Sequence, residues 1–171
     1  MEHWRAIYAP ALSASIRTIA WYPLWCDTPR LVSDLAQASF CYSGGALLAF
    51  DNGAEVFLTW TQAGGQFSLS ASNQAERDWI PNCLDRVQCG WEEPWRAVRG
   101  AQLLRICLYA NASDDQLRIV GARHELITDG APAFVWIACG GEKLVGDADD
   151  LWVGIDVEPD NLSSLVEVLS F

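Results

Sequence analysis

The residues that could do chemistry in this chain are few, and their spacing does not favour catalysis. The two histidines, His3 and His124, are separated by about 120 residues. No GxSxG, GxGxxG or P-loop pattern is present, so neither a nucleophile elbow nor a phosphate-binding loop is predicted. His124 lies between Arg123 and Glu125 in an apolar region, which favours a hydrogen-bonded, partly buried strand histidine over a general base.

Thiols and paired carboxylates also lack the arrangement that a reactive site needs. The chain has six cysteines without CxxC spacing, and we predict that they are reduced and lie in or near the core rather than in a metal site. They are Cys26, Cys41, Cys83, Cys89, Cys107 and Cys139. Neighbouring carboxylates occur at Glu92-Glu93, Asp114-Asp115 and Asp149-Asp150. The side chains of two neighbouring residues on a turn point away from each other, whereas glycoside hydrolysis needs two carboxylates on opposite sides of a cleft. We therefore predict no enzyme activity, no metal and no cofactor.

Charge is the most informative property of the chain. There are 22 acidic and 11 basic residues, a formal net charge of −11. Residues 142–171 hold eight of the acids and only Lys143 among the bases, which gives this stretch a net charge of −7. Such a field repels nucleic acid and anionic membranes and attracts a basic partner. The alternative is that the acidity serves solubility alone.

Acidic residues surround a tryptophan in this late stretch. Because side chains alternate along a strand, Trp152 is expected on the outward face, where an aromatic anchor among steering charges is typical of a protein-binding surface. The predicted partner-binding residues are Glu142, Asp147, Asp149, Asp150, Trp152, Asp156 and Glu158. The alternative is a solvated acidic edge with Trp152 covered by a C-terminal helix.

The elements that position these residues are mostly strands. Asn52-Gly53 separates two apolar runs and predicts a two-residue hairpin turn, with Ala49 opposite Val56 and both faces buried. Further strands are predicted at 17–22, 67–71, 103–109, 117–128, 133–139 and 151–157, and helices at 28–39, 92–100 and 160–169. No βαβ rhythm appears. The expected fold is α+β: one domain over residues 1–171, with a strongly bent, mostly antiparallel sheet of about eight strands and two or three helices.

Neither the N-terminal stretch nor the longest uncharged window suggests secretion or a membrane span. The first 15 residues carry an acid at position 2 and Pro10 within their apolar run, which makes a poor secretory signal. The window from 56 to 75 is too polar to span a bilayer. A cytoplasmic location is therefore expected.

Several sequence runs resemble a known class of proteins. The runs LLAFDNGAEVFLTW, FSLSAS, WRAVRGAQLLRICLY and FVWIACGG…DDLWVGI, within about residues 40–157, are similar in layout to small cytoplasmic immunity proteins of bacterial contact-dependent or type VI secreted toxin systems. The resemblance implies a non-catalytic inhibitor that occludes the active site of a cognate toxin or effector. It carries over no catalytic residue. A basic toxin would suit the acidic surplus.

Two other functions remain open on the sequence. Nine tryptophans allow a small-molecule or carbohydrate-binding β-domain that uses aromatic rings inside a bent sheet. A structural subunit that dimerises through a strand edge is the third possibility.

Overall fold

The described part of the chain consists almost entirely of antiparallel strands in two sheets. A computed structural model describes residues 1–23, 36–63, 66–73, 87–89, 94–140 and 150–171. Within these ranges every strand pairing is antiparallel. The predicted antiparallel character is confirmed. The single strongly bent sheet of about eight strands is wrong, because the described strands number eleven and form two sheets.

The first sheet has five strands in the order β5-β4-β3-β1-β6. Their bounds are β1 (Ile16–Pro23), β3 (Gly44–Phe50), β4 (Glu55–Ala63), β5 (Gln66–Ser72) and β6 (Val87–Cys89). Every residue of β3 is buried, which confirms that the central hairpin is covered on both faces.

The second sheet has six strands in the order β11-β7-β8-β9-β10-β2. Their bounds are β2 (Ser39–Tyr42), β7 (Gln102–Asn111), β8 (Ile119–Thr128), β9 (Ala131–Cys139), β10 (Leu151–Ile155) and β11 (Leu165–Ser170). A positive-φ turn at Asp129 and Gly130 joins β8 to β9, and Asp-Gly is a common sequence signal for such a turn.

The core lies between the two sheets. Alternate residues of each sheet point inward, so that side chains of β3 and β4 meet those of β7, β8 and β9 in one buried cluster. At one end of this cluster Trp21 packs edge-to-face against Phe40, Tyr42 and Trp95, with ring centroids 5.1–5.6 Å apart. Edge-to-face packing adds stability beyond area burial. Large aromatic side chains are therefore used to hold the sheets together.

A short N-terminal helix, α1 (Glu2–Tyr8), closes one end of the core through a buried polar contact. Its Tyr8 and the strand residue His124 are both 0% exposed, and the Tyr8 hydroxyl lies 2.8 Å from His124 Nε2. His124 Nδ1 lies 3.0 Å from the Val135 carbonyl oxygen, which can only accept. Nδ1 therefore carries the proton, and Nε2 accepts from the Tyr8 hydroxyl. His124 is a structural histidine, and the sequence did not predict α1.

The central hairpin has a longer loop than its sequence predicts. Leu48 pairs with Val56, and the Phe50 N–H donates to the Ala54 carbonyl oxygen at 2.9 Å, which leaves three loop residues. Gly53 has φ +85°, the left-handed conformation that closes a three-residue loop. The predicted pairing of Ala49 with Val56 is therefore wrong by one position.

Hydrogen bonds of the Asp51 and Asn52 side chains hold the longer loop in place. Asn52 Oδ1 accepts the Ala54 N–H at 2.9 Å, and its amide nitrogen donates to the Pro10 carbonyl oxygen at 2.7 Å. Asp51 Oδ1 accepts the Ser15 N–H at 3.1 Å. These bonds tie the loop to the segment after α1.

The predicted C-terminal helix is wrong. Residues 162–164 form one 3₁₀ turn, and the chain then continues as strand β11, whose Val166 pairs with Ala110 of β7. The i, i+3, i+4, i+7 pattern of leucines and valines suits a helix face. Pairing with the open edge of β7 satisfies a row of backbone groups that a detached helix would leave exposed.

The remaining predictions have mixed outcomes. A short helix, α2 (Trp95–Val98), confirms the one expected at 92–100. On β7, Leu104 is 50% exposed although Ile106 and Leu108 are buried, because the pairing register shifts between Leu103 and Arg105. For the helix expected at 28–39, residues 28–35 lie outside the described residues. Its predicted end is wrong, because Ser39 begins β2. Among the described helices, none has the length and apolar character that crossing a membrane requires.

Burial of His124 predicts a specific loss of stability in acid. Burial lowers the pKa of His124 to about 4, whereas an unfolded histidine titrates near 6.5. Between these values the unfolded chain binds a proton that the folded chain does not, so stability falls as the pH falls. Lowering the pH from 7 to 4.5 should cost about 2 kcal/mol through this residue.

Urea denaturation of the wild-type chain and of the His124→Gln variant at both pH values measures this loss. Glutamine can still accept from the Tyr8 hydroxyl and donate to Val135 but does not titrate. The variant should lose about 2 kcal/mol less than the wild-type chain over this range. Equal losses would show that His124 does not carry the acid sensitivity.

Candidate functional site

The predicted partner-binding residues do not form the exposed patch that the sequence suggests. Glu142, Asp147 and Asp149 lie outside the described residues. Asp150, Trp152, Asp156 and Glu158 are described, and they lie on β10 or beside its two ends. The described part of the predicted site therefore lies on or beside the outer face of the six-stranded sheet, the face turned away from the five-stranded sheet.

Trp152 is buried, which corrects its expected role as an exposed anchor. It does point outward from its strand, but only 4% of its surface is exposed. A Cβ placed on Gly154 would lie 2.6 Å from the Trp152 ring, so the indole packs closely against this glycine. Val157, Leu162 and Leu165 pack against the same outer cluster. The alternative prediction, that Trp152 is covered, agrees better with the structure. The residues that cover it belong to the segment after β10 and the start of β11 and not to a C-terminal helix.

Two of the predicted carboxylates already have intramolecular partners. Asp156 has φ +52° and Oδ1 accepts the Phe134 N–H at 2.8 Å, which ends the pairing of β9 with β10. Glu158 Oε2 accepts the Trp136 Nε1–H at 2.7 Å, and its Oε1 lies 3.5 Å from Arg123 Nε. Neither side chain is a purely solvated steering charge. Both stabilise the sheet that would bear the binding surface.

A shallow depression joins some of the predicted residues. Ser39, Trp152, Val157, Glu158 and Asp160 line a space of about 140 Å³. Typical sites for small molecules occupy about 300–1,000 Å³. The depression can accept one side chain of a partner more readily than a whole ligand.

A chain of alternating charges crosses the outer face beside this depression, and we call it the charge ladder. Glu167 Oε1 lies 3.2 Å from Arg105, and Arg105 lies 3.9 Å from Glu125 Oε2. Glu125 Oε1 also contacts Arg123, which pairs with Glu158 at the other end. The ladder holds three carboxylates and two guanidinium groups. Both ends are carboxylates, so the ladder carries one net negative charge.

Strand register brings the ladder together. Arg105 pairs with Glu125 across β7 and β8, and Glu167 of β11 pairs with Tyr109 of β7. Residues two apart on one strand share a face, which places Arg123 beside Glu125. The ladder remains open to solvent, because the side chains of Arg105, Glu125 and Glu167 are 46%, 31% and 38% exposed.

Aromatic rings fix the orientation of the ladder's charges. The Arg123 guanidinium lies 4.3 Å from the centre of the Phe134 ring, a cation–π contact. Tyr109 and Trp136 have ring centroids 4.7 Å apart, and the Tyr109 hydroxyl donates to Glu167 Oε2 at 3.5 Å. A Cβ placed on Gly121 would lie 3.1 Å from the Trp136 ring, so this glycine lets the indole lie close to the sheet.

The thiol beneath the ladder is not a candidate nucleophile. Cys107 is 1% exposed, and its Sγ lies 3.9 Å from Glu125 Oε1. Burial, followed by the negative charges of Glu167 and Glu125, raises the pKa of the Cys107 thiol to about 11. It is protonated near neutral pH, whereas nucleophilic attack needs the thiolate. Within the described ranges, no three histidine, cysteine or carboxylate side chains form a group that could hold a metal ion.

Sequence reasoning missed most of this surface because its residues come from separate strands. Arg105, Cys107 and Tyr109 alternate with buried Ile106 and Leu108. That alternation is the signal that could have marked an outward row on β7. The adjacent row on β8 needed the pairing register, which the sequence does not supply.

Comparison with known proteins gives no relative from which to infer a role. No family model, curated protein or solved structure matches the chain. Its function therefore has to be inferred from its own geometry.

The buried position of Trp152 predicts a large structural effect when it is truncated. Trp152→Ala should lower the free energy of unfolding by about 3 kcal/mol or more, because it removes a buried ring and leaves a cavity. Trp152→Phe, the matched control, should cost much less. Chemical denaturation measures both. A change of less than about 0.5 kcal/mol for the alanine variant is typical of exposed residues and would contradict the burial of Trp152.

Proposed function

We propose that this chain is a cytoplasmic immunity-type protein that binds a cognate bacterial toxin or effector and inhibits it by covering a basic active site. On this proposal the chain has no catalytic activity of its own. The observation that carries the proposal is the charge ladder, an ordered and solvent-open row of charged side chains set among aromatic rings on the outer face of the six-stranded sheet.

The composition of this face suits a protein partner. Arginine, tyrosine and tryptophan are the residue types enriched at protein interfaces. Here Tyr109 and Phe134 are half-buried, and each contacts a charged side chain of the ladder. Side chains held in place before binding lose little conformational entropy when a partner arrives. The face is therefore built for a preorganised docking interaction.

The charge of the neighbouring segment supports a basic partner. Residues 150–171 hold five acids and no base: Asp150, Asp156, Glu158, Asp160 and Glu167. This segment crosses or borders the outer face from β10 to β11. With the ladder's Glu125, Arg105 and Arg123 also counted, the surface keeps a negative excess of four. Such an excess speeds the encounter with a positively charged surface.

Carbohydrate or small-molecule binding has less support in the described residues. Of the six tryptophans that the structure describes, five are less than a tenth exposed: Trp4, Trp21, Trp95, Trp136 and Trp152. The sixth, Trp60, is half-buried and packs edge-to-face against Phe67. Stacking on a sugar needs an open aromatic face. These five rings instead pack within the described clusters.

Binding to the protein encoded by the adjacent gene tests the proposal. We expect a one-to-one complex and abolition of the neighbour's toxicity. The association rate should fall as salt is raised from 50 to 500 mM, because the screening length of exposed charges shortens from more than about 10 Å to about 4 Å. Titration calorimetry measures the stoichiometry, a toxicity assay measures the inhibition, and stopped-flow fluorescence measures the association rate. A toxin that associates but remains fully active would contradict inhibition by occlusion.

A double charge swap locates the surface. Arg105→Glu with Glu167→Arg preserves an ion pair between the two positions but reverses the pattern that a partner meets. We expect binding to weaken by about 2 kcal/mol, the scale of an interface hot spot. The control is Glu55→Arg, an exposed position on the five-stranded sheet that should leave affinity unchanged. Unchanged affinity of the double-swap variant would show that the interface does not include the charge ladder.

A further inference from the structure

The two ends of the charge ladder have unused acceptor capacity. An ionised carboxylate offers about four acceptor positions. Glu158 accepts a hydrogen bond from the Trp136 indole and pairs with Arg123. Glu167 accepts hydrogen bonds from Arg105 and the Tyr109 hydroxyl. About two positions are therefore left on each carboxylate. The two side chains are 40% and 38% exposed, so the remaining positions can be reached from solvent.

Both terminal carboxylates are held in matching ways. Each receives one hydrogen bond from an aromatic side chain and one charged contact from an arginine, with Trp136 and Arg123 at one end and Tyr109 and Arg105 at the other. These contacts orient the carboxylates before any partner arrives. A carboxylate in a fixed plane suits a guanidinium, which binds through two parallel N–H donors, better than an ammonium, which acts as a point charge.

Strand geometry sets the distance between the two ends. Glu167 lies on β11, and Glu158 contacts residues of β8 and β9, so two to three strand spacings separate them. At about 4.8 Å per spacing, the ends lie roughly 10–15 Å apart. The arginines between them disfavour a continuous positive patch on the partner, because like charges would then face each other.

We propose that Glu158 and Glu167 each receive one arginine of the basic partner, so that the partner presents two guanidinium groups roughly 10–15 Å apart with no positive charge between them. This recognition rests on the proposed function and specifies the chemistry of its surface. The partner is thus recognised by the spacing of two arginines in addition to its overall positive charge.

Short peptides test the spacing without requiring the toxin. In an extended peptide, arginines four residues apart are about 13 Å apart. The probe is acetyl-Arg-Gly-Ser-Gly-Arg-amide. Its controls are a permuted peptide with adjacent arginines and a version with both arginines replaced by lysine. Two-dimensional ¹H–¹⁵N NMR follows the Trp136 indole N–H, which reports directly on Glu158.

We expect the spaced arginine peptide to bind about tenfold more tightly than either control. Adjacent arginines cannot reach both carboxylates at once, and lysine cannot bind a carboxylate through two parallel N–H donors. It should shift the Trp136 indole signal together with the amide signals of β11. Glu158→Gln with Glu167→Gln should remove this preference, since glutamine can still accept from Trp136 and Tyr109 but carries no charge. Glu55→Gln is the matched control and should retain it. Equal affinities for the three peptides, or shifts confined to other surfaces, would overturn the two-arginine recognition.

Measuring the affinity for the toxin distinguishes failure of the two-arginine recognition from failure of the proposed function. Normal affinity for the toxin in the Glu158→Gln, Glu167→Gln variant would overturn the two-arginine recognition and leave the immunity function standing. No complex between the toxin and the wild-type chain would overturn the immunity function, and the peptide titration would then decide the recognition alone.

Discussion

Burial of the inner faces of two antiparallel sheets against each other is the constraint on which the rest of the structure depends. The cluster between the sheets contains most of the buried large side chains of the described residues, including Trp21, Trp95 and Phe50. In β9, residues from Val135 to Cys139 are fully buried on both sides of the sheet. A core packed in this way leaves function to the outer surface, where charged side chains stand among half-buried rings.

The outer face of the six-stranded sheet shows how the same side chains can serve stability and recognition. Glu158 anchors the buried indole of Trp136 and also ends the charge ladder. Isolated surface ion pairs contribute about 0–1 kcal/mol each, so the ladder is not the main source of stability. Its importance is the fixed arrangement of charges, which gives a partner a defined pattern to meet.

Sequence reasoning succeeded where a local signal decides the structure and failed where tertiary contacts decide it. Alternation identified β5, and a run that is apolar on both faces identified β9. The Asp129-Gly130 dipeptide indicates the turn between β8 and β9, where both residues adopt positive φ. The hairpin loop was one residue too short because Asn52 and Asp51 bond to a distant segment. The C-terminal residues have a helical pattern, yet the open edge of β7 recruits them as a strand. For the site, the acidic segment was visible in the sequence, whereas Arg105 and Arg123 needed the strand register.

Hydrogen–deuterium exchange of the chain in complex with the adjacent gene's toxin tests the central claim most directly. Binding at the outer face should slow exchange of backbone amides in β11 and in residues 156–165, which lie at an edge and on the surface and should exchange readily in the unbound chain. Amides of the hairpin formed by β3 and β4 should be unchanged. Protection confined to the five-stranded sheet, with β11 and residues 156–165 unaffected, would contradict the account.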